Sequence, residues 1–339
     1  MSKLSPALKA LVGAPSARPN PLAAPSGIRA VYERLRREAA AHEVGTPAWL
    51  TLSVGDGFSG SAPDPTSLLL SRHSGDGMAE VEARHPGDEV DEVEVRHPGD
   101  EVHETAATVT MNSPDSLAEL YSLATERAPD KTYALETAEL MREVGLKCIG
   151  FNGIPRTINC LGAFRSSLPS DIASSLSTKA TRTTSPATIR EIISRGQALW
   201  SSIYRPFDAK LSARLADSHP DLPLFIVNHA YGALFADPPS LGRDAGARVG
   251  RVLTSIVAVA CLRAQTGVAP QVTSHVFGLR KAFEDGSARA PGELAVQGGE
   301  WLASDEGSTW LLGAVDALVQ AIGEGRGSSF APGMDKAKL

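Results

Sequence analysis

Cysteine is scarce in this chain: only Cys148, Cys160 and Cys261 occur in 339 residues. Their spacing forms no C-x-x-C pair and no metal-ligand pattern, which argues against a disulfide framework, a zinc site or an iron–sulfur centre. Long apolar runs are also missing. No stretch approaches the roughly 20 residues that a membrane-spanning helix needs, and the first residues lack the charged, apolar and small-residue succession of a secretory signal. Positive charge is not in excess, since 33 Lys and Arg face 39 Asp and Glu for a net charge of −6, and a nucleic-acid partner is not expected. What remains is a soluble composition, 42% hydrophobic and 21% charged, in a chain long enough for one large or two ordinary cores.

The chain divides by composition. Residues 1–27 are rich in Pro, Ala and Ser and read as a flexible leader. Residues 28–53 form an N-terminal helix region in which Ile28, Val31 and Leu35 make one stripe opposite arginines and glutamates. Residues 54–104 lose globular character: RHPGDEV at 84–90 returns twelve residues later at 96–102, and 80–104 hold ten acids against two arginines. Two short copies cannot stack into a solenoid, and low hydrophobicity with high charge predicts a disordered insertion whose histidines have no fixed geometry for a metal.

Helical spacing resumes in a first module, 105–165, where Pro114 suits a first helical turn capped by Ser113. A helix over about 133–149 follows, and Pro155 opens another with Ile154, Ile158 and Leu161 on one face. A Ser/Thr-rich span, 166–187, reads as a linker. The second module, 188–322, starts with a helix that turns Ile189, Ile192, Ile193 and Leu199 inward. A helix over 220–236 then places Phe225, Val227, His229, Tyr231 and Leu234 near the core, and 300–322 supplies the last amphipathic helix. Residues 323–339 read as a flexible tail.

The most informative stretch is RVGRVLTSIVAVACLRAQTGVAPQVTSHVFGLRKAFEDG, 248–286. Residues 249–263 are apolar on nearly every side, as in a helix buried around most of its circumference. Thr266-Gly267 closes that helix and Pro270 opens the next, which runs to Glu284 with Val272, Val276, Leu279 and Phe283 on its apolar face. His275 lies within that face, three residues after Val272 and four before Leu279, so its ring points inward.

Two helices joined by a short Gly-containing turn, with a His about one turn into the second, resemble the central element of the carboxymuconolactone decarboxylase and alkylhydroperoxidase-D-like superfamily. The resemblance implies an all-α, AhpD-like fold, here as two partial helical modules, and is nearest to fungal peroxisomal members that lack the redox cysteines. The redox branch carries C-x-x-C-x-x-x-H; Val268 and Gln271 stand at the cysteine positions here, and the upstream Glu position falls near Ile256. Thiol peroxidase chemistry is therefore not expected, because disulfide exchange needs two neighbouring thiols. The decarboxylase branch implies His275 as general acid or base, with Arg248 and Arg251 as cations for an anionic substrate. His229 and Tyr231 are candidate hydrogen-bond donors to that substrate, and Gln271 a candidate to orient it or the His275 ring. No metal or other cofactor is called for, and a homo-oligomer is implied.

The chain ends in Ala337-Lys338-Leu339, the small-basic-leucine pattern of a peroxisomal address read by an import receptor. Two functions follow from the sequence and the resemblance: a metal-free decarboxylase-like or hydroperoxidase-like enzyme of the peroxisomal matrix acting on a small molecule through His275, or an inactive AhpD-like binding or assembly protein of the same compartment.

Overall fold

The computed structural model describes residues 5–12, 21–44, 102–242, 246–293 and 295–330. Among these residues all regular elements are helical, as expected of an all-α fold. Helix α1, Pro6–Val12, is short and exposed. Helix α2, Ile28–Ala40, buries Ile28, Tyr32, Leu35 and Ala39. Its Tyr32 hydroxyl pairs with the Thr108 hydroxyl at 2.8 Å, so the one polar atom of a fully buried ring is satisfied. The repeat-bearing insertion lies outside the described residues except for its last few, which begin α3, Val102–Thr110.

Helix α4, Pro114–Thr125, begins at the expected proline. Ser113, expected to cap it, instead donates to the Leu22 carbonyl at 3.0 Å and pairs with Ser116 Oγ at 2.8 Å, which ties residue 22 to the body. Helix α5, Lys131–Lys147, is capped by Asp130 accepting from the Tyr133 amide at 2.9 Å. A single turn, α6 (Ile149–Asn152), leads to α7, Ile154–Ser167. The isoleucine face of this helix turns outward: Thr157, Cys160 and Phe164 are buried, while Ile154 and Ile158 are 59% and 65% exposed.

The Ser/Thr-rich span is not free chain: it contains α8, Ser170–Ser175, and inserts Leu168, Ile172 and Leu176 into the main core. Helix α9, Ile189–Tyr204, buries Ile192, Gly196, Trp200 and Ile203; Ile193, expected inward, is 40% exposed. Helix α10, Asp208–Ser218, and the turn α11, Asp221–Leu224, lead into a π-helical segment, Phe225–Phe235, here π1. Helix α12, Gly250–Gln265, is buried on nearly every side and packs on α3 and on two later helices. Those are α13, Ala269–Glu284, which abuts it after a turn with positive φ at Thr266 and Gly267, and, beyond the single turn α14, Gly299–Leu302, helix α15, Asp305–Ile322.

One core joins residues from α2 to α15, so the two halves of the chain share their interior. A second, aromatic-rich cluster of Trp200, Ile203, Val227, Tyr231 and Phe235 sits between α9 and π1. Here two backbones touch. A Cβ on Gly232 would stand 2.5 Å from the Ile192 carbonyl oxygen, closer than real Cβ atoms come, so both Gly232 and its partner Gly196 are required by the approach of the helices. Ser328 donates to the Ala264 carbonyl at 2.5 Å and Arg156 lies over the Phe330 ring, so the chain is held to the body as far as residue 330.

Candidate functional site

His275 projects from the inner face of α13 and is only 6% exposed, as its position between Val272 and Leu279 led one to expect. Its Nε2 lies 3.3 Å from the Tyr204 hydroxyl at the end of α9, and that hydroxyl lies 3.0 Å from the Tyr231 hydroxyl on π1. Three side chains from three helices thus form one hydrogen-bonded row. Trp200 packs against Tyr204 at 4.1 Å between centroids and meets Tyr231 edge-on at 5.1 Å, which fixes both rings. Phe151 presents its edge to the imidazole at 6.1 Å. The Nδ1 atom of His275 is buried with no hydrogen-bond partner among the described residues.

The electrostatics follow from this enclosure. Burial, and then the positive charge of Arg251, push the His275 pKa down to about 4, so the ring is neutral at neutral pH. Burial raises the pKa of Tyr204, against the hydrogen bond from Tyr231 and the charge of Arg251, and raises that of Tyr231 further. All three members of the row are therefore uncharged. Arg251, also buried, is held by its donors: Nε to Ser202 Oγ at 2.9 Å, Nη1 to Ser255 Oγ at 2.6 Å, and Nη2 to the Gly278 carbonyl at 2.7 Å and the Ser202 carbonyl at 3.2 Å. Its guanidinium supplies a fixed positive field behind the row.

Tyr204 also lines a cavity of about 760 Å³, within the range of small-molecule sites. Ile203, Phe207, Leu211 and Phe277 make its apolar wall, and Arg205, Lys210, Arg214 and Lys281 bring four cations against Glu284 and Asp285. His275 is not part of that lining, so a molecule in the cavity meets Tyr204 and not the imidazole.

The other expected residues separate. Tyr231 and Arg251 join His275. Arg248 does not; it is half-buried and lines a second cavity, of about 280 Å³, on the other side of Arg251. His229 is exposed, with its ring 5.2 Å from that of Phe225. Burial in π1 recurs every four residues, at Val227, Tyr231 and Phe235, which leaves Phe225 and His229, also four apart, on the outer face. Gln271 is exposed on the first turn of α13 and does not orient the ring. A different glutamine is inside: Gln265 donates to the Phe151 carbonyl and, at 3.3 Å, to Asn152 Oδ1, which seats the phenylalanine that flanks His275. Ala337, Lys338 and Leu339 lie outside the described residues.

Tyr204 is the member of the row that sequence reasoning missed. A helix-spaced series, Trp200, Ile203 and Tyr204, was there to be read, but Tyr204 closes the helix and its cue is only a tyrosine two residues before Pro206. The cysteines contribute no exposed thiol. All three are 0% exposed, Cys148 and Cys261 pack with sulfurs 3.5 Å apart, and burial pushes the Cys160 thiol up to about 12. Among the described residues no helix is long and apolar enough to cross a membrane.

The fold and site thus define an all-helical protein with a neutral Tyr-Tyr-His row buried between three helices and reaching a cation-rimmed cavity. No family model matches the chain, and no solved structure matches it. It is similar to Peroxisomal protein 2 of Saccharomyces cerevisiae, 29% identical over 194 residues that cover 51% of this chain and 64% of that protein. The chain therefore spans less than two thirds of the length of this curated relative.

Proposed function

We propose that this chain is a peroxisomal matrix protein with an AhpD-like helical fold and a metal-free, decarboxylase-like acid–base site that acts on an organic anion. The observation that carries the chemistry is the row from Tyr231 through Tyr204 to His275, whose middle residue, Tyr204, is also part of the cavity lining. The name of the yeast relative supports the compartment. Exposed Ile154 and Ile158 on α7 support self-association, and sedimentation showing monomer alone would remove that part.

Loss of CO2 breaks the bond between the carboxyl carbon and its neighbour, and the bonding pair stays on the neighbouring carbon, which must then take up one proton. Tyr204 is placed to deliver that proton, which solvent restores, while His275 fixes the hydroxyl and accepts or returns its hydrogen bond. Cations at the cavity rim hold the anionic substrate, and the guanidinium of Arg251 offsets negative charge developing at the phenol.

A second reading, binding or assembly without chemistry, is favoured by one observation: the imidazole is walled off by Phe151 and Tyr204 rather than open to the cavity. The two readings separate in an assay of CO2 release from a panel of lactone acids and β-keto acids, run beside thermal shift. On the acid–base reading Tyr204→Phe binds the stabilising acid as wild type does but releases CO2 at least a hundredfold more slowly, within the range for a general acid. If wild type is stabilised by an acid that it never decarboxylates, the binding reading replaces it.

A further inference from the structure

The cavity of about 280 Å³ beyond Arg251 carries an unassigned chemistry. It is lined by Arg195 of α9, by Arg248, Gly250, Arg251 and Thr254 at the start of α12, and by Ser287 and Glu293 after α13. Three of its residues hold buried donors with no acceptor among the described residues: Arg195 Nε, Arg248 Nε and Ser287 Oγ. A buried donor without an acceptor is costly, so small side-chain shifts that bring these three to an acceptor-rich occupant of the cavity are favoured.

The carboxylates nearby do not fill that role. Asp237 already accepts from the Val249 and Gly250 amides at 2.9 and 2.7 Å and from Lys147 at 2.6 Å. Glu293 accepts from the Arg251 amide at 2.7 Å. The first amides of α12 are thus spent on protein carboxylates, and recognition falls to side chains. Arg195 gives Nη1 to Glu191 at 2.5 Å and keeps its other donors, while among the described residues the Arg248 guanidinium has no ion pair. With Arg195 offset by Glu191 and Asp237 by Lys147, Arg248 and Arg251 face Glu293 alone, which leaves a positive balance.

We infer that this cavity is a binding site for a small oxyanion, a phosphate or carboxylate group, gripped by Arg195, Arg248 and Ser287. Guanidinium forks match the planar pairs of oxygens in both groups, and the volume admits the bare ion or the head of a somewhat larger molecule. The site stands whether or not Tyr204 and His275 perform acid–base chemistry.

The test is isothermal titration of the full-length protein with inorganic phosphate and separately with malonate, at constant ionic strength set with sodium chloride. Saturable one-to-one binding of at least one probe is expected. Arg248→Gln should weaken it at least tenfold and Ser287→Ala a few-fold, with unchanged circular dichroism in both; Tyr204→Phe should leave it unaltered. Tighter binding of phosphate or of malonate tells which oxyanion the site prefers. Absence of saturable heat with both probes, or equal affinity in wild type, Arg248→Gln and Ser287→Ala, would overturn the assignment. Loss of binding in Tyr204→Phe alone would place the anion in the other cavity and overturn it equally.

Discussion

Two buried polar regions of this molecule differ in how completely their groups are matched. Around Lys147, which is 0% exposed, Nζ donates to the Phe235 carbonyl and to Asp237 Oδ1 at 2.6 Å, while Arg182 pairs with Glu143. The Asp237 carboxyl is pushed up by burial, yet its pairing with Lys147 and the backbone amides wins and holds it below the ordinary range. Glu143, with the same neighbours but less direct hydrogen bonding, stays above its ordinary value because burial dominates. Around His275 the pattern reverses. Its Nδ1 is unmatched, its charge is suppressed, and its one hydrogen bond runs toward a cavity. The first cluster, in which Arg182 Nε is the one buried donor without a partner among the described residues, fastens α5 to the end of π1 and the start of α12; the second keeps a proton acceptor and a fixed field in reserve.

The largest effect expected from this contrast is at the Lys147 cluster. Lys147→Ala leaves Asp237 buried beside a lost partner, and removing one member of a buried pair costs about 3 to 5 kcal/mol. Urea unfolding monitored by far-UV circular dichroism should show that loss; a change under 1 kcal/mol would mean that the cluster is open to water.

The next effect belongs to His275 and depends on pH. Its pKa of about 4 in the folded chain lies below the 6.5 of the unfolded one, so the unfolded state binds the proton first. The contribution is fully present above pH 6.5 and is lost as pH falls from there toward 4, an upper limit of about 3 kcal/mol at 1.36 kcal/mol per unit. His275→Asn should flatten this part of the stability profile, whereas an unchanged slope would assign the pH dependence to other groups.

The smallest effects are expected at His229 and Gln271, both exposed. Alanine at either should change stability by no more than about 0.5 kcal/mol and leave ligand-induced thermal shifts intact. A shift lost in either variant would return that residue to the site.

How much of this contrast was legible in the sequence depends on how local its signals are. The pair α12 and α13 was readable because an all-round apolar run, a Thr-Gly turn and a proline specify two packed helices within forty residues, and His275 falls on the inner face by simple spacing. The π-helical form of Phe225–Phe235 was not, since its composition suits an α-helix equally and the wider hydrogen-bonding comes from packing Gly232 on α9. His229 was misplaced for a different reason: Phe225, Val227, His229 and Tyr231 are two apart, and a helix cannot turn all of them inward. Glu143 and Lys147 share a face of α5 at a spacing of four, but Asp237 lies 90 residues after Lys147, too far for spacing to bring it to them. Arg195 looks in sequence like any solvated helical arginine, and only the fold brings it to the cavity of Arg248 and Ser287.

The central claim is that His275 is a neutral base hydrogen-bonded to Tyr204 at the edge of a cavity, and nitrogen NMR of the histidine side chains across pH 4.5 to 8 tests it most directly. The account predicts a His275 resonance that stays neutral down to about pH 5, in one tautomer, and that moves in Tyr204→Phe. A His275 that titrates near 6.5, unchanged by that substitution, would contradict it.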